Sequence, residues 1–151
     1  MGVAPAAGQP PAASRRSRLA CERARVRASR EGAARASQVV VGDVYRHLSS
    51  RIPAGRAVVV TDENILRLYR AELPPFPVLS IGTGEGAKTL DTVRGLYESM
   101  LDLEVDRSVF MVGIGGGIVC DVTGFTAATF LRGLRFGFVA TSLLAQVDAA
   151  V

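Results

Sequence analysis

The chain has 151 residues, 48% of them hydrophobic, which is enough for one domain with a buried core. Residues 1–37 hold eight arginines and two glutamates, or +6, whereas the remainder holds ten basic and twelve acidic residues, or −2. The net charge of +4 therefore describes the N-terminal segment and argues against a nucleic-acid-binding face on the folded part.

The N-terminal segment, residues 1–37, is rich in Ala, Pro, Ser, Gly and Arg and has little periodic apolar content, which predicts a disordered extension. A solvated extension or a misassigned start site is the preferred interpretation, and an organellar transit peptide or a nucleic-acid-binding arm are the alternatives. Cys21 and Cys120 show no metal-ligand spacing, and no apolar run approaches the ~18 residues of a membrane span. We therefore expect a cytoplasmic protein with no membrane contact.

From residue 38 onwards, predicted strands and helices alternate. The predicted strands are Gln38–Val41, Ala57–Thr61, Val78–Ile81, Ser108–Gly113 and Phe136–Val139. The predicted helices are Asp43–Ile52, Glu63–Leu73, Thr89–Leu103, Ile118–Leu131 and a further helix that begins at Thr141. This alternation predicts an α/β domain over residues 38–151, with a doubly wound, mainly parallel, Rossmann-like sheet.

The predicted helix Thr89–Leu103 carries apolar residues at i, i+3, i+4 spacing, which indicates a single buried face. These residues are Leu90, Val93, Leu96, Tyr97, Met100 and Leu101. Two further residues have structural interpretations: Cys120 is predicted to be a small core residue, and His47 a surface histidine rather than a metal ligand.

A glycine-rich turn follows the fourth of these strands. Gly113 and Gly115 match the start of the dinucleotide fingerprint G-x-G-x-x-G, and Ile118 stands where its last glycine would be. Glycines let the backbone approach a ligand closely, so that the N–H groups at the start of the next helix converge on a diphosphate. By itself this pattern is a weak signal.

The polar residues near the predicted strand ends also have simpler interpretations. Asp62 is placed to cap the helix that follows it, and Glu85 and Lys88 are spaced as a solvent-exposed ion pair. Asp121 is predicted to lie in the first turn of a helix, where the helix dipole stabilises a carboxylate. The carboxyl ends of parallel strands share one edge of the sheet, so we expect these residues to gather there.

Several separated motifs occur along the chain in a consistent order. They are TDEN at Thr61–Asn64, GEGAK at Gly84–Lys88, GGGIVCD at Gly115–Asp121, TGFTAATFLRG at Thr123–Gly133 and TSLLAQVDAA at Thr141–Ala150. With these motifs the chain, from about Gln38 to its last residue, resembles 3-dehydroquinate synthase and its sugar-phosphate cyclase relatives.

The resemblance implies an enzyme that uses NAD and a divalent metal, usually zinc. It converts 3-deoxy-D-arabino-heptulosonate 7-phosphate to 3-dehydroquinate and phosphate, in the shikimate pathway of aromatic amino acid biosynthesis. The route is transient oxidation of a hydroxyl, loss of phosphate, re-reduction and aldol closure. The residues that the resemblance places around NAD are Asp62, Thr83, Gly84, Glu85, Lys88, Gly115, Gly116, Gly117, Asp121, Thr141, Ser142 and Leu144.

Two further residues are implied in catalysis. Asp148 matches an aspartate that meets the substrate hydroxyls, and Arg132 matches an arginine that reaches the substrate phosphate from the neighbouring subunit of a homodimer. The chain departs from the family pattern in Thr141-Ser142, where two threonines are commoner, and in VDAA, where VDSS is commoner.

The sequence ends at Val151, where the family continues into a glycine pair, a catalytic lysine and a helical domain with the metal ligands. We therefore expect an N-terminal part of such an enzyme, inactive by itself and without metal ligands of its own. Three alternatives stay open: a cyclase of the inosose or valiolone type, a metal-dependent polyol dehydrogenase with a similar GGG-x-x-x-D turn, and a non-catalytic nucleotide-binding module.

Overall fold

The structure, a computed structural model, describes residues 26–28, 37–40, 48, 50–52 and 55–150. They fall into two compact units, within Met1–Asp43 and within Val44–Val151. In the first unit, strand β1 (Val26–Ala28) pairs antiparallel with strand β2 (Ser37–Val39), with Val26 opposite Val39.

The strands of the first unit bear on two of the predictions made from the sequence. The strand predicted at Gln38–Val41 is found as β2, but it belongs to this small antiparallel sheet and not to the parallel one. The disorder predicted for residues 1–37 stays a prediction, although within them the short strand β1 pairs with β2, a partner that composition alone does not reveal. The rest of that segment, up to Ser37, lies outside the described residues.

The second unit contains a parallel sheet of four strands in the order β4-β3-β5-β6. The strands are β3 (Ala57–Asp62), β4 (Val78–Ile81), β5 (Phe110–Gly115) and β6 (Arg135–Ala140). The central strand β3 pairs with β4 on one side and with β5 on the other. The predicted α/β fold with a parallel, Rossmann-like sheet is confirmed.

Residues 55–150 form four α-helices between and after these strands. They are α1 (Glu63–Tyr69), α2 (Leu90–Asp102), α3 (Gly117–Thr129) and α4 (Leu143–Val147), and short 3₁₀ turns occupy Glu85–Ala87 and Phe130–Arg132. Each helix predicted in this range is present, with its ends shifted by at most four residues. Of the helix predicted at Asp43–Ile52, Leu48, Ser50 and Arg51 are helical, and most of the other residues, including His47, lie outside the described part.

The sheet is buried on both faces, because alternate side chains of β3 enter two separate cores. Val58 and Val60 pack in the core that contains Met100 of α2 and residues of α3. Ala57 and Val59 pack on the other face, in a smaller core. Continuous burial of this kind is typical of a central strand of a parallel sheet and explains its run of β-branched residues.

Helix α2 departs from the predicted one-faced pattern. Val93, Leu96 and Met100 are buried as predicted, but Leu90 and Leu101 are 74% and 62% exposed. The buried face of α2 is therefore narrower than the spacing of its apolar residues predicts. Among the helices of the described residues, none is long and apolar enough to cross a membrane.

Candidate functional site

The candidate site is organised by the glycine-rich turn between β5 and α3. A Cβ atom on Gly115 would lie 2.5 Å from Val119 Cγ2, and one on Gly113 would lie 2.8 Å from Thr123 Oγ1. Both positions therefore need glycine for packing, because they let α3 lie directly against β5. Their glycines are a requirement of the fold itself.

Gly116 and Gly117 differ from these packing glycines. Gly116 has extended backbone angles, φ −79° and ψ −171°, which any residue can adopt. The nearest atom to a Cβ on Gly116 would be Ser142 Oγ at 3.7 Å, and a Cβ on Gly117 would have only Ala149 Cβ, at 4.0 Å. The fold does not require glycine at either position, so their missing side chains leave open space in front of the turn.

The N-terminus of α3 opens onto this space. The first hydrogen bond of the helix is donated by Cys120 N to Gly116 O, at 3.1 Å. The amides of Gly117, Ile118 and Val119 come before it, and N–H groups at that position have no acceptor within a helix. Gly116, the N-cap residue, has no side chain to supply one. The end of this 13-residue helix is therefore a set of backbone donors with the positive end of a helix dipole behind them.

A cleft of about 140 Å³ lies at this helix end. Its lining residues come from the carboxyl ends of three strands and are Asp62, Asn64, Gly82, Thr83, Gly84, Gly116, Gly117, Ile118 and Val119. The structure thus brings together five of the predicted site residues: Asp62, Thr83, Gly84, Gly116 and Gly117. Asn64 and Gly82 were not predicted as site residues, although Asn64 belongs to the TDEN motif and Gly82 adjoins the motif that begins at Gly84.

Asp62 has its predicted capping role and also lies at the cleft. Its Oδ1 atom accepts a hydrogen bond from Ile65 N at 2.9 Å and so caps α1. The same residue lines the cleft. In the loop after the neighbouring strand β4, Gly84 has a φ of +78°, in the left-handed region that favours glycine, and it turns the chain into the 3₁₀ turn at Glu85–Ala87.

Lys88 forms an ion pair with Asp121, with 2.7 Å between Nζ and Oδ2. The predicted pairing of Lys88 with Glu85 is therefore replaced by one between two separate elements. The hydrogen bond to Asp121 raises the pKa of Lys88, and the charges of Asp121, Glu85 and Asp148 act in the same direction, against a smaller opposing effect of burial. Lys88 is thus fully protonated at neutral pH.

The predicted start of the helix that carries Asp121 is wrong by one residue. Because α3 begins at Gly117, Asp121 is its fifth residue and lies outside the first turn, which contains no acidic residue. Its carboxylate is held by Lys88 and not by the amides of the helix end.

The segment after β6 approaches the glycine turn. Thr141 N donates a hydrogen bond to Gly115 O at 2.9 Å, and Ser142 Oγ caps α4 by accepting from Ala145 N. Leu144 lies on α4 and is 70% exposed, and the exposed Asp148 follows the end of that helix. Thr141 and Ser142 therefore border the open space at Gly116.

Arg132 is the predicted site residue that lies apart from the others. It follows the C-terminal end of α3, and a helix of 13 residues is ~20 Å long. Leu131, Arg132 and Gly133 have φ angles of 47°, 67° and 107°, so the chain turns sharply here. Arg132 consequently lies at the opposite edge of the sheet from the cleft.

The chemistry of the remaining candidates is limited. Among the described residues there is no group of three or more His, Cys, Asp or Glu side chains that could hold a metal ion, so these residues do not fit a metal centre. Cys120 is fully buried, and burial raises its thiol pKa to about 11, which confirms it as a core residue.

A larger groove of about 430 Å³ lies between β4 and α2, and its lining contains no charged residue.

Comparison with known proteins identifies the α/β unit. The 3-dehydroquinate synthase of Acetivibrio thermocellus is 43% identical over 106 residues, which cover 64% of this chain and 29% of that protein. The 2-epi-valiolone synthase of Stigmatella aurantiaca is 36% identical over 120 residues, which cover 74% and 29%. A solved structure of 2-deoxy-scyllo-inosose synthase, complexed with carbaglucose-6-phosphate, NAD+ and Co2+, matches with a TM-score of 0.60 and 30% identity, over 70% of this chain and 32% of that chain.

All three of these proteins are sugar-phosphate cyclases, so the resemblance that the motifs indicated is confirmed. Within that class, residues 78–151 belong to the family described as 3-dehydroquinate synthase N-terminal, whose model they match. The chain spans about a third of the length of each of these relatives, from 29% to 32%.

Proposed function

We propose that the α/β unit binds NAD through its diphosphate, as the NAD-binding part of a sugar-phosphate cyclase. The observation that carries this proposal is the open end of α3: a helix N-terminus with uncapped backbone donors faces a cleft in which Gly116 and Gly117 leave room for a ligand. Converging N–H groups and the positive end of a helix dipole are the groups that bind a diphosphate. A cofactor that approaches the backbone this closely explains why glycine stands where the fold does not need it.

The other predicted residues surround this point in the proposed complex. Thr83 and Gly84 form one wall of the cleft, and Thr141 and Ser142 border the glycine turn on its other side. Asp62, at the end of β3, is placed to accept hydrogen bonds from ribose hydroxyls. The cleft is smaller than the ~300–1,000 Å³ of a complete small-molecule site, so we propose that it holds the diphosphate and an adjoining ribose and leaves much of the cofactor uncovered.

The finer proposal is that the protein acts in 3-dehydroquinate synthesis, from 3-deoxy-D-arabino-heptulosonate 7-phosphate and with release of phosphate. The support for this substrate is the higher identity to a 3-dehydroquinate synthase, 43%, than to a 2-epi-valiolone synthase, 36%. The residues around the cleft would hold NAD, which would supply the transient oxidation and re-reduction of the substrate. Asp148 is exposed after the end of α4, and its charge contributes to raising the pKa of Lys88. In the proposed complex it would accept hydrogen bonds from the substrate.

The position of Arg132 supports a homodimer in this proposal. Because it lies at the far end of α3 from the cleft of its own chain, its guanidinium would serve the cleft of a second subunit. A planar guanidinium with several donors suits a phosphate monoester, so Arg132 would bind the phosphate of the substrate in a homodimer.

The test is a titration of the ¹⁵N-labelled 151-residue chain with NAD, followed by ¹H–¹⁵N NMR. We expect the largest shifts at the amides of Gly84, Gly116, Gly117 and Ile118, with a weak affinity because the cleft is small. ADP-ribose, which keeps the diphosphate, should shift the same amides, whereas adenosine should not. The proposal fails if NAD causes no localised shifts at ~10 mM, a concentration sufficient to detect a millimolar dissociation constant. Stronger shifts with ATP than with NAD would indicate the non-catalytic nucleotide-binding module instead.

A further inference from the structure

The backbone adopts a disfavoured conformation just after α3, at the arginine that is proposed to bind a phosphate. Leu131 (φ 47°, ψ 34°) and Arg132 (φ 67°) are consecutive residues in the left-handed region, which is unfavourable for side chains other than that of glycine. Residues in this region persist where the surrounding structure holds them, and they concentrate at functional sites. The neighbours of this left-handed turn therefore determine where Arg132 lies.

Both ends of the left-handed turn are anchored in the core. Phe130 and Leu134 are 6% and 7% exposed and belong to the same hydrophobic cluster. Two backbone hydrogen bonds close the turn, from Gly133 N to Phe130 O at 2.8 Å and from Leu134 N to Ala127 O at 2.7 Å. Arg132 itself is exposed and makes no ion pair with any residue of the described part of the chain, so its position depends on the backbone of the turn.

A second helix contributes to the same turn through Tyr97 of α2. Its Oη atom forms a hydrogen bond with Oγ1 of Thr129, the last residue of α3. Thr129 Oγ1 also donates to Phe125 O at 2.6 Å, and because a threonine hydroxyl has a single proton, Tyr97 is the donor to Thr129. The ring of Tyr97 contacts that of Phe130, with 5.5 Å between their centroids. Tyr97 thus joins α2 to the two residues that immediately precede the left-handed turn.

The two hydroxyl groups supply something that packing does not. Phenylalanine and valine have nearly the shapes of tyrosine and threonine, and they would keep the ring contact with Phe130 and the branched side chain at position 129. The hydroxyls add a directional link, which runs from Tyr97 to Thr129 and on to Phe125 O in the preceding turn of α3. This link holds the last turn of α3 against α2 at the point where the backbone leaves the helix.

We propose that Tyr97 and Thr129 are positioning residues, whose hydrogen bond holds the left-handed turn in place and so fixes the direction in which Arg132 leaves α3. The inference rests on the proposed function for the ligand of Arg132, which is the substrate phosphate in a second subunit. An arginine that serves a site outside its own subunit benefits from a fixed backbone, because a group that is already ordered loses less conformational freedom on binding.

The test is hydrogen exchange at the amides of Gly133 and Leu134, whose hydrogen bonds close the turn. Tyr97→Phe keeps the ring and removes the donor, and Thr129→Val keeps the branched side chain and removes the acceptor. Each variant should speed exchange at both amides about fivefold, which is the effect of one lost hydrogen bond. The double variant should also show an increase of about fivefold, because both substitutions remove the same bond, whereas two independent losses would give ~25-fold.

Thr129→Ser separates the hydroxyl from the packing of the side chain. Serine keeps the hydroxyl and lacks the methyl group, so exchange at Gly133 and Leu134 should stay within about twofold of that in the original chain. Tyr69→Phe and Ser99→Ala are the controls for loss of a hydroxyl, since Tyr69 is 43% exposed on α1 and Ser99 Oγ donates to a carbonyl of its own helix, α2. Neither control should alter exchange at the turn.

Three results would overturn the proposal. The first is unchanged exchange at Gly133 and Leu134 in both Tyr97→Phe and Thr129→Val, since the core anchors would then hold the turn without the hydroxyls. The second is an increase of ~25-fold in the double variant, which would show that the two hydroxyls act separately. The third is exchange as fast in Thr129→Ser as in Thr129→Val, which would assign the effect of Thr129 to packing.

Exchange is measured without nucleotide, which keeps this inference separate from the proposed function. Tyr97 and Thr129 lie near the far end of α3 from the cleft, so their variants should bind NAD as the original chain does. If the original chain binds no NAD but exchange at Gly133 responds as expected, the NAD assignment fails and the link between α2 and the turn stands. If NAD binds and exchange does not respond, the link fails and the NAD assignment stands.

Discussion

In the glycine-rich turn, the fold requires glycine at position 115 but not at position 116. We therefore predict different effects for Gly115→Ala and Gly116→Ala. The substitutions are chemically identical and lie next to each other in the chain. Their expected effects on stability and on nucleotide binding are nevertheless opposite, because Gly115 faces α3 whereas Gly116 faces the cleft.

The magnitudes follow from the space at each position. A methyl group on Gly115 would lie 2.5, 2.7 and 3.1 Å from three atoms of Val119, whose side chain is buried, so α3 must shift. Overpacking of this kind costs ~1–3 kcal/mol. At Gly116 the nearest atom is 3.7 Å away, and replacing a glycine whose φ is already negative stabilises by ~0.4–1 kcal/mol through the unfolded state.

The assays are urea unfolding followed by circular dichroism, and NAD titration by NMR. Gly115→Ala should lower the free energy of unfolding, whereas Gly116→Ala should leave it unchanged or slightly raised. Gly116→Ala should weaken NAD binding about tenfold, which corresponds to ~1.4 kcal/mol, because its methyl group occupies space that the diphosphate needs. Gly95→Ala supplies the control: a Cβ there has no neighbour within 4 Å, and the residue lies on α2, away from the glycine turn.

Two outcomes would refute this reasoning. If Gly116→Ala binds NAD as tightly as the original chain, then the open space at Gly116 is not where the diphosphate lies. If Gly115→Ala is as stable as Gly116→Ala, then the contact between β5 and α3 is looser than the structure shows, and the packing role of Gly115 is wrong.

Two further predictions concern single side chains. In a Cys21→Ser chain, Cys120 is the remaining thiol. Its alkylation at pH 8 should be at least ~100-fold slower in the folded chain than in the chain unfolded in urea, because burial raises the pKa of the thiol from 9.0 to about 11. Equal rates in the two states would contradict the burial of Cys120. Ser108 donates hydrogen bonds to Asp106 from both Oγ and N, at 2.6 and 2.7 Å, and these lower the pKa of the carboxyl from 3.8. A carboxyl group whose pKa is lowered in the folded state stabilises the fold above pH 3.8, and this effect is lost as the pH falls through the folded-state pKa. Ser108→Ala should therefore reduce the free energy of unfolding more at pH 6 than at ~pH 2.5. An equal loss at both pH values would rule out the charge of Asp106 as the cause.

The sequence was sufficient to predict the parallel sheet, because its signals are local and repeated. Val58–Thr61 is a run of β-branched residues typical of a strand buried on both faces, and β3 occupies that central position. The predicted cap at Asp62 is local as well, since its side chain accepts a hydrogen bond from an amide three residues later. Such features require no knowledge of the rest of the fold.

The same reasoning fails where a partner is remote in sequence. Strand β1 was missed because it is defined by pairing with β2, and the exposure of Leu90 and Leu101 depends on which side of α2 packs against other elements. The division of the turn into packing glycines and open glycines also depends on a second element, since it is Val119 and Thr123 of α3 that exclude side chains at Gly115 and Gly113. The motif predicted a glycine turn but not the role of each glycine.

Asp121 shows how a small error in a helix boundary can change the chemistry that a residue is assigned. With the helix beginning at Ile118, Asp121 would be in the first turn, and the helix dipole would account for its carboxylate. With the helix beginning at Gly117, the amides of the first turn stay available for a ligand, and the charge of Asp121 is balanced by Lys88 instead. The one-residue difference separates the anion-binding end of α3 from the carboxylate that would compete with an anion. A diphosphate can approach the helix because Asp121 lies beyond its first turn and is paired with a lysine from another loop.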